Sequence, residues 1–450
     1  MMSKDIYLSG TESLCPECLK VIPAYKIISD DKVYLVKKCI NHGEFRTLIW
    51  DEEATYESWG TEKIPVIMEN CVTTVEKGCP FDCGLCPEHR QSTCCVLLEV
   101  TGDCNLNCPI CFASSEEKTG YNPPLVEIKD WYNWLLAHGG PYNIQLSGGE
   151  PTLRDDLPEI VKMGHQLGFS YIQLNTNGMR LAKEPDFVEK LKNAGLNSVF
   201  LQFDGTKDKI YQKTRGRSLL EEKIAAIDNC AKEGLGIVLV PTLVPGVNMD
   251  NLGEIIDFAI SRMPSIRGVH FQPISYFGRY PDSPSENRVT IPEILRNIET
   301  QTSGKIKVDN FLPAGAENSY CSFHGNFILM EDKSLKPWSS FSEYKTSTKY
   351  LDAKIAIKKS RSFVARQWSA PKKTSCCNTE QKVPGLDEFL ERVKEYTLCI
   401  SGMAFQDVWT VDLERLKDCK LHVFSPQGRL IPFCAYNLTA RNGESIYRRV

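Results

Sequence analysis

The chain lacks a hydrophobic run long enough to cross a bilayer. Its longest apolar stretch, residues 235–247, is 13 residues long and contains Pro241 and Pro245, whereas a membrane helix needs ~20. It also lacks an excess of either charge. Lys and Arg total 53, Asp and Glu total 57, and the net charge is −4 at pH 7, so no broad basic field draws nucleic acid. Residues 1–10 hold no apolar segment of the secretory-signal kind. Solenoid-period repeats, heptads and low-complexity tracts are missing too. These absences point away from membrane-spanning, fibrous and nucleic-acid-binding classes and toward the cytoplasm. A lipid substrate would be met only through peripheral membrane contact.

What remains is an ordinary globular composition, 42% apolar and 24% charged over 450 residues, enough for roughly three domains of ~150 residues each. The one excess is cysteine, 19 in all, with 12 in the first 111 residues. A chain of this length buries a large core without disulfides. The odd count and the C-x-x-C spacings therefore indicate metal in a reducing compartment.

The cysteines fall into sets. Cys15, Cys18, Cys39 and His42 have the layout of a metal ribbon, two knuckles aimed at one ion. Zinc accepts Cys3His, whereas a rubredoxin-like iron wants a fourth thiolate, for which Cys71 is available. Cys79, Cys83, Cys86 and Cys94 suit a four-iron cluster, one thiolate per iron, with zinc as the competitor and His89 as a neighbouring donor. Cys104, Cys108 and Cys111 follow an apolar, strand-like run at 96–100 and are trailed by Phe112. Cys399, Cys419 and Cys434 lie too far apart for a local knuckle and suit a cluster closed by tertiary folding.

Between these sets the pattern alternates. Strands are expected at 96–100, 144–146, 171–174, 198–203, 237–243 and 268–274, with helices at 126–137, 157–167, 186–194, 219–233 and 250–262. Such β–α alternation implies a parallel sheet with helices outside. Six units suit a partial (β/α)6 TIM-type barrel, whose active site lies at the C-terminal ends of the strands. The organisation read from this is a metal-ribbon module at 1–60, an auxiliary-cluster segment at 61–95, the barrel at 96–285 and a C-terminal auxiliary-cluster domain at 286–450. A capping box at Thr290 and Glu293 opens a further helix.

The C-x3-C-x2-C spacing of Cys104, Cys108 and Cys111 resembles that of the radical S-adenosylmethionine (radical SAM) superfamily. The resemblance implies a [4Fe–4S] cluster on these three thiolates, with SAM on its fourth iron. Gly148, Gly149 and Glu150, after the second strand, resemble the superfamily's GGE motif for the methionine moiety. Asn175 and Asn177 follow the third strand, where the superfamily contacts the SAM ribose, and Gln202 and Asp204 end the fourth. Taken with the ribbon, the 78–89 run and the 428–437 ending, the chain resembles the tetraether lipid synthase family, whose members also carry the name pterin methylase. That resemblance implies two auxiliary [4Fe–4S] clusters, a mononuclear iron, a low-potential electron donor (ferredoxin or flavodoxin) and coupling of lipid tail carbons. Cys321, Cys376 and Cys377 are candidates for the missing ligand of the C-terminal cluster. A lipid tail needs an apolar groove, for which 237–247, Phe271, Tyr276, Phe277 and Tyr280 are candidates, and Arg215, Arg217 and Arg279 are candidates for its head group. Three rivals remain: a methylase of a pterin or other small molecule, a peptide-modifying maturase, and a ribbon module whose metals are only structural.

Overall fold

The computed structural model describes residues 5–68, 71–280, 288–347, 351–371 and 385–448. Cys376 and Cys377 lie outside the described residues.

The N-terminal strands Ile6–Leu14, Val21–Ser29, Lys32–Cys39 and Gly43–Trp50 form an antiparallel meander. Of its three reversals, the first carries Cys15 and Cys18 and the third carries Cys39 and His42, side by side at one end. Lys26 pairs with Asp412 at 2.6 Å, and the buried Lys37 donates to Ser13 Oγ at 3.0 Å and to the Val408 carbonyl at 2.5 Å. The ribbon is thus fixed to the C-terminal region by buried polar contacts, not tethered as a free module.

The six expected parallel strands are all present: Cys95–Thr101, Asn143–Gly148, Ile172–Thr176, Ser198–Gln202, Gly236–Val240 and Ile266–Pro273. They pair in chain order. Gly236–Val240 is buried throughout, as expected where helices cover one face and side chains fill the other. The flanking helices Leu125–Ala137, Leu157–Gln166, Pro185–Asn193, Leu220–Lys232 and Leu252–Ser261 stand close to their expected bounds. The capping box at Thr290 and Glu293 opens Ile291–Gln301. Cys230 is buried in the apolar core.

The C-terminal region adds to this same sheet at both flanks. Thr397–Met403 pairs parallel with Ile266–Pro273, and Ser322–Leu329 pairs antiparallel beyond it. On the opposite flank Leu421–Ser425 pairs parallel with Cys95–Thr101, followed by Arg429–Pro432. Eight parallel strands therefore run side by side. Among the described residues no strand pairing joins the two flanks. The described residues after 288 thus extend the α/β core on both sides.

Candidate active site

The inner face of the sheet bounds a cavity of about 830 Å³. Its wall carries Cys104, Cys108 and Cys111, then Gly148, Gly149, Glu150, Asn175, Asn177 and Gln202. The three cysteines and the motif residues that the sequence singled out thus converge on one space at the C-terminal ends of the strands.

Two arginines hold the cysteine loop. Arg279 Nε donates to the Cys108 carbonyl at 2.7 Å, and Cys111 and Arg279 bond each other's backbones. Arg215 Nη1 donates to the Ile110 carbonyl at 3.3 Å. Its Nε and Nη2 lie 2.5 and 2.8 Å from the carboxylate of Asp204, a bidentate pair that fixes the guanidinium plane. Asp204 is fully buried behind the cavity wall and reaches the site through Arg215 and the Thr242 amide. Burial acts to raise its carboxyl, but Arg215, the Thr242 amide and Lys223 hold it below the usual range. Of the three arginines that were candidates for a head group, Arg215 is buried and paired and Arg279 backs the loop, while Arg217 is exposed beside Glu222.

Burial pushes the Cys104 thiol up to about 12 and also raises Cys108, against the lowering effect of Arg215. Such thiols ionise only beside a strong positive centre, which a metal supplies. The donor set fits an iron–sulfur cluster.

Glu150, on the cavity wall, is also held by the protein itself. Its Oε1 accepts from Thr152 Oγ1 at 2.6 Å and from Thr176 Oγ1 at 2.7 Å, and its Oε2 accepts from the Asn177 amide at 2.7 Å. The carboxylate therefore staples two strand ends together at the cavity rim. The glycines have a steric reason of their own. Gly148 has φ +123°, and a Cβ there would lie 2.0 Å from the Thr101 carbonyl oxygen; at Gly149 it would lie 2.1 Å from that of Asp103. The motif loop crosses the start of the cluster loop backbone to backbone, where no side chain fits. Asn177 ties the two loops, donating from Nδ2 to Asn105 Oδ1 at 2.8 Å.

The other cysteine sets regroup. Cys79, Cys83 and Cys86 share a small cavity with His89, and Cys83 is raised by its hydrogen bond to Cys79, by burial and by Cys86. Cys94 lies on the wall of the main cavity instead, beside Lys420. Cys399 also lies on that wall, on Thr397–Met403. Cys419 and Cys434 are joined by Cys321: burial raises the Cys419 thiol, and so do Cys434 and Cys321 beside it. Arg415 Nε donates to the Cys321 sulfur at 3.1 Å. Cys321 belongs with these two because Arg415, which donates to its sulfur, also lies beside Cys434, a long-range arrangement with no signature in spacing.

At the ribbon, one ligand atom from each of Cys15, Cys18, Cys39 and His42 lies within 4.8 Å of every other. His42 Nδ1 is 3.5 Å from both Cys15 Sγ and Cys39 Sγ. A tetrahedral ion with Zn–S of ~2.3 Å and Zn–N of ~2.0 Å separates S from N by about 3.5 Å, so the four residues fit one ion. Cys71 is exposed, bonds the Met68 carbonyl and stands outside this group.

Most of the apolar groove expected for a lipid tail is core. Ile237, Leu239 and Phe271 are fully buried, and Tyr276 packs against Tyr280 and Trp409. Of that set Val240, Thr242 and Phe277 reach the cavity. Deeper in, the walls are amides, imidazoles and aromatic rings. His270 Nδ1 lies 2.9 Å from Ser401 Oγ, and Phe200, His270 and Trp368 form a ring cluster with centroids 5.4 to 6.1 Å apart. Burial lowers His270 and His324 to about 4, so both are uncharged at neutral pH.

Comparison with known proteins agrees with this geometry. The radical SAM superfamily matches residues 98–259, and the HMPTM N-terminal zinc ribbon domain matches residues 7–51. The 7,8-dihydro-6-hydroxymethylpterin dimethyltransferase of Methanocaldococcus jannaschii is 36% identical over 475 residues, 96% of this chain and 94% of that protein. The GTP 3′,8-cyclase of Nautilia profundicola is 28% identical over 179 residues, 39% of this chain and 55% of that one. Among solved structures, SuiB of Streptococcus suis bound to S-adenosylmethionine aligns with a TM-score of 0.41 at 16% identity, over 48% of each chain. These matches do not single out tetraether lipid synthases, and the narrower resemblance is corrected to that extent. The chain is a radical SAM enzyme, and it belongs to the same family as the M. jannaschii dimethyltransferase.

Proposed function

We propose that this enzyme methylates a small, flat nitrogen heterocycle of the reduced-pterin type, not a lipid tail, with a second SAM as methyl donor leaving as S-adenosylhomocysteine and the reductant supplying two electrons in all. The observation that carries this reading is the deep half of the cavity. Its neutral imidazoles, amides and clustered aromatic rings suit a planar molecule with hydrogen-bonding edges. The end-to-end relation to a pterin dimethyltransferase supports the same substrate class. A lipid methyl terminus would leave the buried Asn175 Oδ1 facing hydrocarbon without a partner, which is costly.

Cys104, Cys108 and Cys111 would hold the SAM-binding [4Fe–4S] cluster. Cys79, Cys83 and Cys86 would hold one auxiliary cluster, and Cys321, Cys419 and Cys434 another. When bound and reduced by a ferredoxin or flavodoxin, the SAM-site cluster supplies the electron that turns SAM into methionine and a hydrogen-abstracting 5′-deoxyadenosyl radical. The chain's own residues do the rest. Arg215 and Arg279 keep the cysteine loop in place, the Glu150 staple sets the rim, and the enclosing sheet keeps water from the reacting centre.

Deuterium transfer tests the reading. With 7,8-dihydro-6-hydroxymethylpterin deuterated at its ring methylene and hydroxymethyl carbons, 5′-deoxyadenosine is expected to acquire deuterium. Unlabelled 5′-deoxyadenosine, formed at the same rate with and without the pterin, would overturn it.

A further inference from the structure

The cavity does not end below the SAM site. Both the first and the last residue of Asn143–Gly148 lie on its wall. Five strand steps of ~3.3 Å make it about 17 Å long. At the far end the wall is one face of the helix Ala353–Gln367, with Ala356, Lys359, Ser360 and Phe363 turned inward.

That helix covers the starts of the parallel strands. Arg361 Nε donates to the Thr93 carbonyl at 3.0 Å, and Asn143 Nδ2 donates to the Arg361 carbonyl at 3.2 Å. Arg267 Nε donates to the Gln367 carbonyl at 3.1 Å, and Gln367 Nε2 donates to the Thr397 carbonyl at 2.8 Å. The cluster loop and the Gly148–Gly149–Glu150 motif stand at the opposite ends of these strands.

The exposed residues of the cavity wall are all here. Asp352, Ile355 and Lys359 are exposed, and every other wall residue is buried or half-buried. Ile355 is 55% exposed. The most exposed part of the wall is therefore at the starts of the strands, away from the cysteine loop. The helix carries Lys354, Lys358, Lys359, Arg361 and Arg366 and no acidic residue. Among the described residues no carboxylate forms an ion pair with Lys354, Lys358 or Lys359. Unpaired cations around a cavity mouth concentrate anions there.

We propose that the substrate enters through this mouth, at the end of the cavity opposite the SAM site, and carries an anionic group of the phosphate-ester class that Lys359 and Ser360 hold. The proposal rests on the pterin-type reading above and adds the route and the anionic group. The ring then reaches Phe200, His270 and Trp368 with its anion still at the mouth.

The test uses the full chain, reconstituted anaerobically with iron and sulfide. The probes are 7,8-dihydro-6-hydroxymethylpterin, its monophosphate ester, SAM, and vesicles of phosphatidylglycerol. In the unmodified protein the ester is expected to bind about tenfold more tightly than the alcohol. Lys359→Glu is expected to abolish that preference, with Lys359→Gln in its place if charge reversal impairs folding. Ser360→Trp is expected to weaken both pterins by about tenfold or more. SAM affinity is expected to stay unchanged in every variant, which also reports folding. Unaltered pterin binding in Ser360→Trp would overturn the route while the pterin reading stands. Equal loss of SAM would also overturn it, by showing one shared entrance. Vesicle binding that depends on Lys359, with no preference for the ester, would assign the lysine to a lipid surface and overturn the soluble-ester assignment. Absence of any pterin binding to the unmodified protein would overturn both readings.

Discussion

Glu317 and Lys420 meet at 2.5 Å across the seam of the sheet, with Glu317 just before one flanking strand and Lys420 just before the other. No backbone pairing joins the flanks among the described residues, so this ion pair is a direct link between the two sides of the cavity. Ser322 Oγ also donates to Glu317 Oε1 at 2.5 Å. Burial acts to raise the Glu317 carboxyl, but Lys420 and Lys63 hold it down at about 2.

Removing one partner leaves a buried charge alone, at a cost of about 3–5 kcal/mol. Glu317→Gln and Lys420→Met are each expected to lower unfolding stability by that order in denaturant titrations. The double variant is expected to lose less than the sum. Because the Glu317 pKa is depressed by folding, its contribution is present above the unfolded carboxyl pKa, ~4.3. It is expected to fade as pH falls from there toward about 2. Acid titrations of the wild type and Glu317→Gln are expected to converge over that window.

Arg215→Met leaves the fully buried Asp204 without its bidentate partner and frees the Ile110 carbonyl. A stability loss of about 3–5 kcal/mol is expected, with poor retention of iron by the Cys104–Cys111 loop in metal analysis. Arg215→Lys is expected to rescue only in part, because an ammonium cannot form the planar fork.

At the ribbon, His42→Ala is expected to release the bound ion, and Cys71→Ser is expected to retain it fully. Elemental analysis of the purified variants checks both. Loss of the ion in Cys71→Ser would return the fourth-thiolate arrangement.

Gly148→Ala and Gly149→Ala each drive a methyl group into backbone oxygens of residues 101–103. Backbone cannot yield as a side-chain tip can. SAM binding by equilibrium dialysis is expected to fall by about tenfold or more in either variant, while the ribbon keeps its ion.

Much of this was legible in the sequence because it is local. Hydrophobic runs such as Ile237–Val240 bury both faces and mark a parallel strand by themselves, and Cys15, Cys18, Cys39 and His42 lie on two short turns. Cys104, Cys108 and Cys111 likewise sit in one loop. What was not legible depends on tertiary closure. Cys399 was grouped with Cys419 and Cys434, but its strand carries it to the cavity wall, and Cys321 takes the place beside them. Cys94 follows Cys86 closely in sequence, yet the strand beginning at Cys95 draws it into the main cavity. The amphipathic helix Ala353–Gln367 has the composition of a solvated surface helix, and only its place beneath the strand starts reveals its inner face. Motif position singles out Glu150 and Asp204, while the protein partners that hold them, Thr152, Thr176 and Arg215, emerge only in the folded chain.

The central claim is that one cavity brings the SAM site and a pterin-type substrate together. Mass spectrometry of a single anaerobic reaction containing the reconstituted enzyme, SAM, reductant and 7,8-dihydro-6-hydroxymethylpterin tests it most directly. The account predicts a methylated pterin, with 5′-deoxyadenosine formed in step with it, and neither product from a Cys104→Ala, Cys108→Ala, Cys111→Ala variant. Abundant 5′-deoxyadenosine beside an unaltered pterin would contradict it.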